Sequence, residues 1–161
     1  EHLENVINKL RDTGCRLKST KSSITIVSAN DIKPVDMTTA VFPGFPTDLQ
    51  AQWVALMCLA NGSSVITDTV YHDRFSHIPE LARFGANIKV ENNSAFITGV
   101  KSFVAAPVMS TDIRASASLI IAALAAKGET EISRVYHIDR GYENIEQKFN
   151  SLGANIFRKR D

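Results

Sequence analysis

The chain has 161 residues, of which 44% are hydrophobic and 22% charged, a composition typical of one soluble globular domain. Its 18 basic and 17 acidic residues give a net charge of +1, which argues against the electrostatic field that gathers nucleic acid or acidic lipid. No apolar run reaches the roughly 18 residues that a membrane span requires. The two cysteines have neither metal-ligand nor disulfide-framework spacing, so we expect a reducing cytoplasm. The absence of an initial methionine and of a signal-type segment suggests a piece of a longer protein.

The first predicted elements are a helix and a β-hairpin. Apolar residues at i, i+3, i+4 and i+7 within residues 3–10 indicate an amphipathic helix, and Gly14 is placed to end it. Residues 24–27 are typical of a strand, which we expect to pair across a short turn with residues 15–17.

The rest of the chain predicts two long helices with strands around them. Prolines and a glycine at 42–46 precede a helix that begins at Thr47 or Asp48 and runs to about Leu59. The following elements are predicted as a strand at 65–67, a helix at 78–84, a hairpin of 88–90 with 95–98, and a strand at 103–105. A helix from Asp112 to Ala126 is almost entirely Ala, Ser, Leu and Ile, so we expect it to be buried. The pattern predicts an α/β fold with mixed strand pairing.

Two segments of the chain repeat each other. The paired anchors are Thr47-Asp48 with Thr111-Asp112, Tyr71-His72-Asp73-Arg74 with Tyr136-His137-Ile138-Asp139-Arg140, and Gly85-Ala86-Asn87-Ile88 with Gly153-Ala154-Asn155-Ile156. The helix and glycine at the front form a third, partial copy. A period of roughly 65 residues exceeds the usual solenoid range of about 20 to 50, which favours units that fold around each other within one partial domain. The units are predicted at about 1–46, 47–110 and 111–161, and the last one stops before its closing hairpin partner, which leaves exposed edges.

Asp48 and Asp112 occupy equivalent places at predicted helix starts, and two interpretations stay open for them. A carboxylate there caps the helix by accepting backbone N–H bonds. Alternatively, an ionised carboxylate at the edge of a cleft serves as a general base, and the Pro-Gly-Phe-Pro segment before Asp48 would hold it in place.

Three arginines are candidates for binding an anion. Arg74 and Arg140 lie in loops that leave strand ends, where α/β proteins place ligand contacts, although pairing with Asp73 or Asp139 on the surface would also explain them. Arg114 corresponds to Gln50 in the repeat, so the repeat itself does not require a cation there. Its guanidinium would face an anion already favoured by the helix start.

The histidines and cysteines are predicted to be structural. His72, His77 and His137 lack metal-ligand spacing, and no metal site is expected. Cys58 lies among apolar residues and is predicted to belong to the core, because a nucleophilic thiol needs an accessible, electropositive setting.

Four motifs resemble the UDP-N-acetylglucosamine 1-carboxyvinyltransferase family, the UDP-GlcNAc enolpyruvyl transferases of peptidoglycan synthesis. They are Phe45-Pro46-Thr47-Asp48-Leu49-Gln50-Ala51-Gln52, Arg74-Phe75 with Glu80 to Ala86, Thr111-Asp112-Ile113-Arg114-Ala115-Ser116-Ala117, and Asp139-Arg140-Gly141-Tyr142-Glu143. The resemblance covers the whole chain but only the C-terminal portion of that family. It implies an incomplete inside-out α/β barrel of repeated units, with an active site in the cleft toward an N-terminal domain outside this sequence.

The resemblance also implies a reaction and residue roles. Enolpyruvate passes from phosphoenolpyruvate to the sugar 3-hydroxyl of UDP-GlcNAc with release of phosphate in the bacterial cytoplasm, and no cofactor is implied. Asp48 would be the catalytic base. The residues implied in substrate binding are Val70, Tyr71, Arg74, Asp112, Arg114 and Arg140. The family's loop cysteine and N-terminal lysine would lie outside this chain, so the isolated chain is expected to lack turnover.

Two alternatives remain open at this stage. A 5-enolpyruvylshikimate-3-phosphate synthase-like enzyme shares the implied fold and chemistry, but the Phe-Pro-Thr-Asp and Asp-Arg-Gly-Tyr-Glu segments favour the UDP-sugar enzyme. A non-catalytic domain could reuse the repeat for binding. The near-neutral charge argues against RNA as its partner, and no partner other than the two substrates and the N-terminal domain is expected.

Overall fold

A computed structural model describes residues 3–159, in which helices alternate with short strands. Some of these strands pair in parallel and others antiparallel. The helices are Glu4–Asp12 (α1), Gln50–Met57 (α2), Ile78–Arg83 (α3), Ile113–Ala125 (α4), Tyr136–Asp139 (α5) and Ile145–Ser151 (α6). The strands are Arg16–Ser19 (β1), Ile24–Val27 (β2), Met37–Thr38 (β3), Ser63–Thr67 (β4), Asn87–Glu91 (β5), Ser94–Thr98 (β6), Val108–Met109 (β7) and Ile132–Ser133 (β8). None of the helices in the described range is long and apolar enough to cross a membrane. The α/β prediction is confirmed.

The helix and the hairpin predicted at the front of the chain are present as α1 and the β1–β2 pair. Gly14 follows α1 with a φ of 94°, a left-handed conformation that glycine adopts without steric cost. Strands β1 and β2 pair antiparallel with Leu17 opposite Ile26. Both strands are largely exposed, so this hairpin carries little of the core.

The central sheet has the strand order β3-β4-β6-β5. Ile66 of β4 pairs in parallel with Met37 on one side and antiparallel with Ala95 on the other. The predicted β5–β6 hairpin is confirmed, and its turn begins at Asn92 with a φ of 53°, which asparagine tolerates better than most residues. The sheet places the loop after β4 beside the start of α2.

Helices α2 and α4 lie side by side at the centre of the molecule. Trp53 and Met57 of α2 and Leu119 of α4 share one apolar core with residues of the central sheet. The predicted burial of the Ala-rich helix is confirmed for 115–120, whereas its end is open because Leu124 is 44% exposed. Since both helices start near the same edge of the domain, Asp48 and Arg114 come within contact distance.

The strand predicted at 103–105 is wrong. Val104 makes a single parallel bridge to Lys127, and the segment forms no ladder. Its backbone donors go to separate partners, because Val104 donates to the carbonyl of Phe84 while Ala105 donates to that of Lys127. A two-stranded parallel pair of β7 and β8 follows instead.

The third unit differs from the second on one side of its strand. In the second unit, β4 pairs with β3 on one side and with β6 on the other. Within residues 3–159, the counterpart of β4 in the third unit is β8, and it pairs only with β7. A groove of about 510 Å³ lies between residues 128–132 and 155–159 at the equivalent place. The side-chain amide of Asn150 binds the N–H and the carbonyl of Ile156 beside it. Within residues 3–159, β7 and β8 thus form a sheet of two strands, and the division of the chain into units stays a prediction.

Candidate functional site

Asp48 lies in a single 3₁₀ turn, Thr47–Leu49, that leads into α2. The capping interpretation is wrong for this residue. Pro46 occupies the position before the turn in an extended conformation, and no side chain caps either the turn or α2. The Asp48 carboxylate instead points outward, with its side chain 64% exposed, and contacts the guanidinium groups of Arg74 and Arg114.

Asp112 does cap its helix, so the capping interpretation is confirmed for the second copy. Its carboxylate accepts the backbone N–H groups of Arg114 and Ala115 at 2.8 and 2.9 Å, and the Ser76 hydroxyl at 3.0 Å. Burial opposes ionisation of this carboxyl, but these hydrogen bonds and the nearby His77 outweigh burial and keep the pKa of Asp112 below its ordinary value. A fixed negative charge therefore stands at the start of α4.

Arg114 extends from the first turn of α4 toward Asp48. Its Nε donates to the Asp48 carboxylate, and this hydrogen bond raises the pKa of the guanidinium against the effect of partial burial. Because the carboxylate also faces Arg74, one anion is shared by two cations. That leaves donors on both guanidinium groups for a further anion.

Arg74 is held from three directions in the loop after β4. Its guanidinium lies over the Tyr71 ring, 3.7 Å from the centroid, a cation–π arrangement. The Nη1 atom donates to the Thr47 hydroxyl at 3.0 Å and lies 3.5 Å from Asp48. The alternative pairing of Arg74 with Asp73 is not observed among the described residues.

These groups surround one open cavity of about 540 Å³. It is lined by Tyr71, His72, Asp73, Arg74, Ser76, Asp112 and Arg114. Asp48 lies at its edge through its contacts with the two arginines. The structure thus brings together five of the predicted site residues, which come from three separate stretches of sequence.

Val70 and Arg140 are placed differently from the other predicted residues. The backbone N–H of Val70 is already donated to Asp68, and its carbonyl accepts no hydrogen bond within residues 3–159. Arg140 is exposed and outside the cavity lining, although its neighbour Gly141 packs against Ile113 at the start of α4. Arg140 does not pair with Asp139, which binds Arg158 instead.

The sequence profile of EPSP synthase (3-phosphoshikimate 1-carboxyvinyltransferase) matches residues 1–149. The chain belongs to this family. Among curated relatives, it is 54% identical over 159 residues to UDP-N-acetylglucosamine 1-carboxyvinyltransferase of Chlorobium chlorochromatii (strain CaD3) and 52% identical to that of Hydrogenovibrio crunogenus (strain DSM 25203 / XCL-2). The alignments cover 99% and 98% of this chain but only 38% of each relative. The chain therefore spans well under half the length of the curated relatives it matches.

Solved structures agree with membership of the EPSP synthase family. The enolpyruvyl transferase NikO from Streptomyces tendae superposes with a TM-score of 0.87 and 28% identity, over 95% of this chain and 36% of NikO. EPSP synthase from Acinetobacter baumannii superposes with a TM-score of 0.68 over 96% of this chain and 36% of that protein. At 14% identity, this second likeness shows the fold alone.

One organising residue of this family member was missed from the sequence. Asp68 directly follows strand β4, is 0% exposed and accepts four hydrogen bonds with its carboxylate. Two come from the backbone N–H groups of Val70 and Tyr71, the local turn that aspartate favours after a strand. The sequence signal that could have identified it is an aspartate between the predicted strand at 65–67 and the Val70-Tyr71 segment.

The predicted structural roles of Cys58 and His77 are confirmed. Cys58 is 0% exposed, and burial raises the pKa of its thiol to about 12, which leaves it unreactive. His77 is 1% exposed and packs beside the Phe75 ring, with ring centroids 6.3 Å apart. Within residues 3–159, no group of three His, Cys, Asp or Glu side chains is arranged to hold a metal ion.

The burial of His77 predicts a loss of stability in mild acid. Burial lowers the pKa of His77 from 6.5 to about 4, and the charge of Asp112 opposes this only in part. Between these values the unfolded chain binds a proton that the folded chain does not, so the free energy of unfolding falls as the pH drops, by about 3 kcal/mol in total. The lowered pKa values of Asp68 and Asp112 act below about pH 4, outside this window.

Urea unfolding at pH 7 and pH 4.5 tests the role of His77. His77→Phe is expected to remove most of the difference in unfolding free energy between the two pH values. The exposed His72, changed to Gln, is the matched control and is expected to leave that difference intact. An unchanged difference in His77→Phe would show that another group is responsible.

Proposed function

We propose that this chain is the C-terminal part of a bacterial, cytoplasmic UDP-GlcNAc enolpyruvyl transferase, which forms enolpyruvyl-UDP-GlcNAc and releases phosphate in peptidoglycan synthesis. One observation carries the proposal: the Asp48 carboxylate lies between Arg74 and Arg114 at the edge of an open cavity. The curated relatives that carry this name at 51 to 54% identity support the assignment of substrates.

The geometry suits addition of an alcohol to an anionic enol phosphate. In the proposed first step, Asp48 accepts the proton of the sugar 3-hydroxyl while that oxygen bonds to C2 of phosphoenolpyruvate. The methylene carbon takes a proton from a group on the N-terminal domain, which the resemblance identifies as a cysteine. In the second step the C2–O bond to phosphate breaks and a methyl proton leaves, which restores the double bond. Atoms and charges balance without a cofactor.

The two arginines have separate tasks before and after the substrates arrive. Without substrate they neutralise Asp48. Phosphoenolpyruvate brings a carboxylate and a phosphate, each matched to the planar fork of a guanidinium. As the arginines turn to these groups, Asp48 is released to accept a proton, and fixed cations in a cleft that excludes water stabilise the departing phosphate.

The remaining predicted site residues are proposed to act beside the Asp48, Arg74 and Arg114 cluster. Asp112 fixes the start of α4 and hence the base of the Arg114 side chain. Val70 and Tyr71 are proposed to line the UDP-sugar pocket. Arg140, one residue from the contact between Gly141 and Ile113, is proposed to reach the phosphoenolpyruvate site once the N-terminal domain closes the cleft.

Steady-state phosphate release tests the proposal on two proteins. The full-length protein that contains this chain is expected to turn over with phosphoenolpyruvate and UDP-GlcNAc, and to be inactive with shikimate 3-phosphate as acceptor. The 161-residue chain alone is expected to give no turnover, because the opposite wall of the cleft lies outside it. Activity of the isolated chain, or a preference for shikimate 3-phosphate in the full-length protein, would contradict the proposal.

A further inference from the structure

Asp68 is a buried carboxylate that no step of the proposed reaction uses. It is 0% exposed at the end of β4. The Oδ1 atom accepts the Thr39 hydroxyl and the N–H groups of Val70 and Tyr71, at 2.7, 2.9 and 2.8 Å. The Oδ2 atom accepts the Thr47 hydroxyl at 2.7 Å. One side chain therefore joins three chain segments, two of which carry the site.

The hydrogen bond to Thr47 has a fixed direction. An ionised carboxylate can only accept, so Thr47 must spend its single hydroxyl proton on Asp68. The lone pairs of the Thr47 oxygen then remain for Nη1 of Arg74, which donates to it at 3.0 Å. Because an arginine can only donate, this polarity is the one that Arg74 requires.

Asp68 also bonds to the residue that makes the other uncharged contact of Arg74, which is Tyr71. The guanidinium lies over the Tyr71 ring, and the Tyr71 N–H is bonded to Asp68. The hydroxyl beside Arg74, and the backbone of the tyrosine whose ring lies beneath it, thus both donate to the same buried carboxylate. We propose that Asp68 is a positioning residue, which acts through Thr47 and Tyr71 to hold the Arg74 guanidinium against Asp48. The expected effect on catalysis rests on the proposed function, whereas the expected effect on the position of Arg74 does not.

A purely structural role of Asp68 and a positioning role predict different effects of mutation. Two threonines that bond to Asp68 form a matched pair for distinguishing them. Thr39 and Thr47 both donate to Asp68, but only Thr47 contacts Arg74. Replacing either threonine by valine keeps the side-chain shape and removes one hydroxyl. If Asp68 matters only for stability, the two variants should behave alike.

The experiment uses the full-length enzyme and measures kcat, KM for phosphoenolpyruvate and Tm. Thr47→Val is expected to lower kcat/KM by about 10- to 100-fold, the cost of a misplaced substrate-binding group. Thr39→Val is expected to lower Tm by a similar amount while kcat/KM stays within about threefold, and Thr47→Ser, which keeps the hydroxyl, is expected to restore activity. Equal kcat/KM values for Thr47→Val and Thr39→Val would overturn the inference.

A double-mutant cycle identifies the residue through which Thr47 acts. In an Arg74→Ala background, Thr47→Val is expected to cost less than about threefold, because the side chain that it positions is already gone. The same cost in both backgrounds would overturn the inference. Asp68→Asn is expected to lower kcat/KM as Thr47→Val does. If Asp68→Asn does not fold, the comparison of Thr47→Val with Thr39→Val still tests the inference.

A readout without activity separates this inference from the proposed function. In a crystal structure of Thr47→Val, the Arg74 guanidinium is expected to leave the Tyr71 ring or Asp48. An unchanged Arg74 position would overturn the positioning role whatever the enzyme's activity. A wild-type protein that is inactive with both substrates would instead reject the proposed function, while the structural comparison would still test the role of Asp68.

Discussion

Asp48→Ala in the full-length enzyme is expected to lower kcat by about 10²- to 10⁴-fold, the usual contribution of a general base. Its carboxylate is the one that contacts both Arg74 and Arg114, whereas Asp112 is committed to backbone N–H groups and Asp68 is buried. The substituted enzyme keeps both arginines. The loss should therefore fall on the chemical step rather than on folding.

The same variant should separate kcat from the KM for phosphoenolpyruvate. In the structure, Asp48 occupies the arginine donors that an anionic substrate would use. Its removal eliminates this competition, so the KM for phosphoenolpyruvate is expected to stay unchanged or to fall. Asp12→Ala, at the exposed end of α1, is the control and should retain wild-type kinetics. A kcat loss below threefold for Asp48→Ala would rule out the base role.

Arg114→Gln is expected to lower kcat/KM by about 10²- to 10³-fold, the effect of removing one group that stabilises developing negative charge. The choice of glutamine comes from the chain itself, because Gln50 is the residue at the equivalent place in the preceding unit. Gln50 is fully buried in α2, whereas Arg114 faces the cavity. The repeat thus tolerates an amide in this helical turn, and folding should be preserved.

The KM for phosphoenolpyruvate should rise in Arg114→Gln, which is the opposite of the Asp48 result. Arg114→Lys is expected to recover little, because an ammonium group lacks the planar pair of donors that fits a carboxylate or phosphate. Arg11→Gln, an exposed change on α1, is the control. Wild-type kcat/KM in Arg114→Lys would show that only charge matters at this position, and in Arg114→Gln it would exclude the residue from the site.

The EPSP synthase profile and the curated relatives point to different acceptors within one chemistry. The profile describes a whole family, and the Acinetobacter baumannii structure shares the fold at only 14% identity. Curated relatives at 51 to 54% identity, such as those of Prosthecochloris aestuarii and Chlorobium chlorochromatii, carry the UDP-N-acetylglucosamine 1-carboxyvinyltransferase name. This difference in identity is why the UDP-sugar acceptor is the one proposed, and why the acceptor comparison is part of the activity test.

Local elements were predictable wherever the chain carried a local signal. The β5–β6 hairpin followed from alternating apolar residues around Asn92, and Gly14 marked the end of α1. The strand expected at 103–105 failed because its apolar residues form no paired ladder, and Val104 is 54% exposed beside the buried Phe103. Periodicity reports which side chains face the core, but it does not report where the backbone hydrogen bonds go.

The two aspartates show the limit of sequence reasoning at the site. Asp48 and Asp112 each follow a threonine at equivalent places in the repeat, and the sequence could not distinguish a cap from a base. The structure separates them because Asp112 precedes a regular α-helix, whereas Asp48 lies inside a 3₁₀ turn that directs its carboxylate outward. A one-residue difference in where the helix begins changes which atoms the carboxylate can reach.

The sequence by itself determined the repeat, the first four helices, the family resemblance and the residue types from which a site for anions could be built. Those properties are local or periodic along the chain. Only the tertiary structure decided that Asp48, Arg74 and Arg114 meet while Arg140 stays apart, and that Asp68 and Thr47 stand behind Arg74. Such contacts join residues that are tens of positions apart, and they depend on how α2 and α4 pack, which no local pattern specifies.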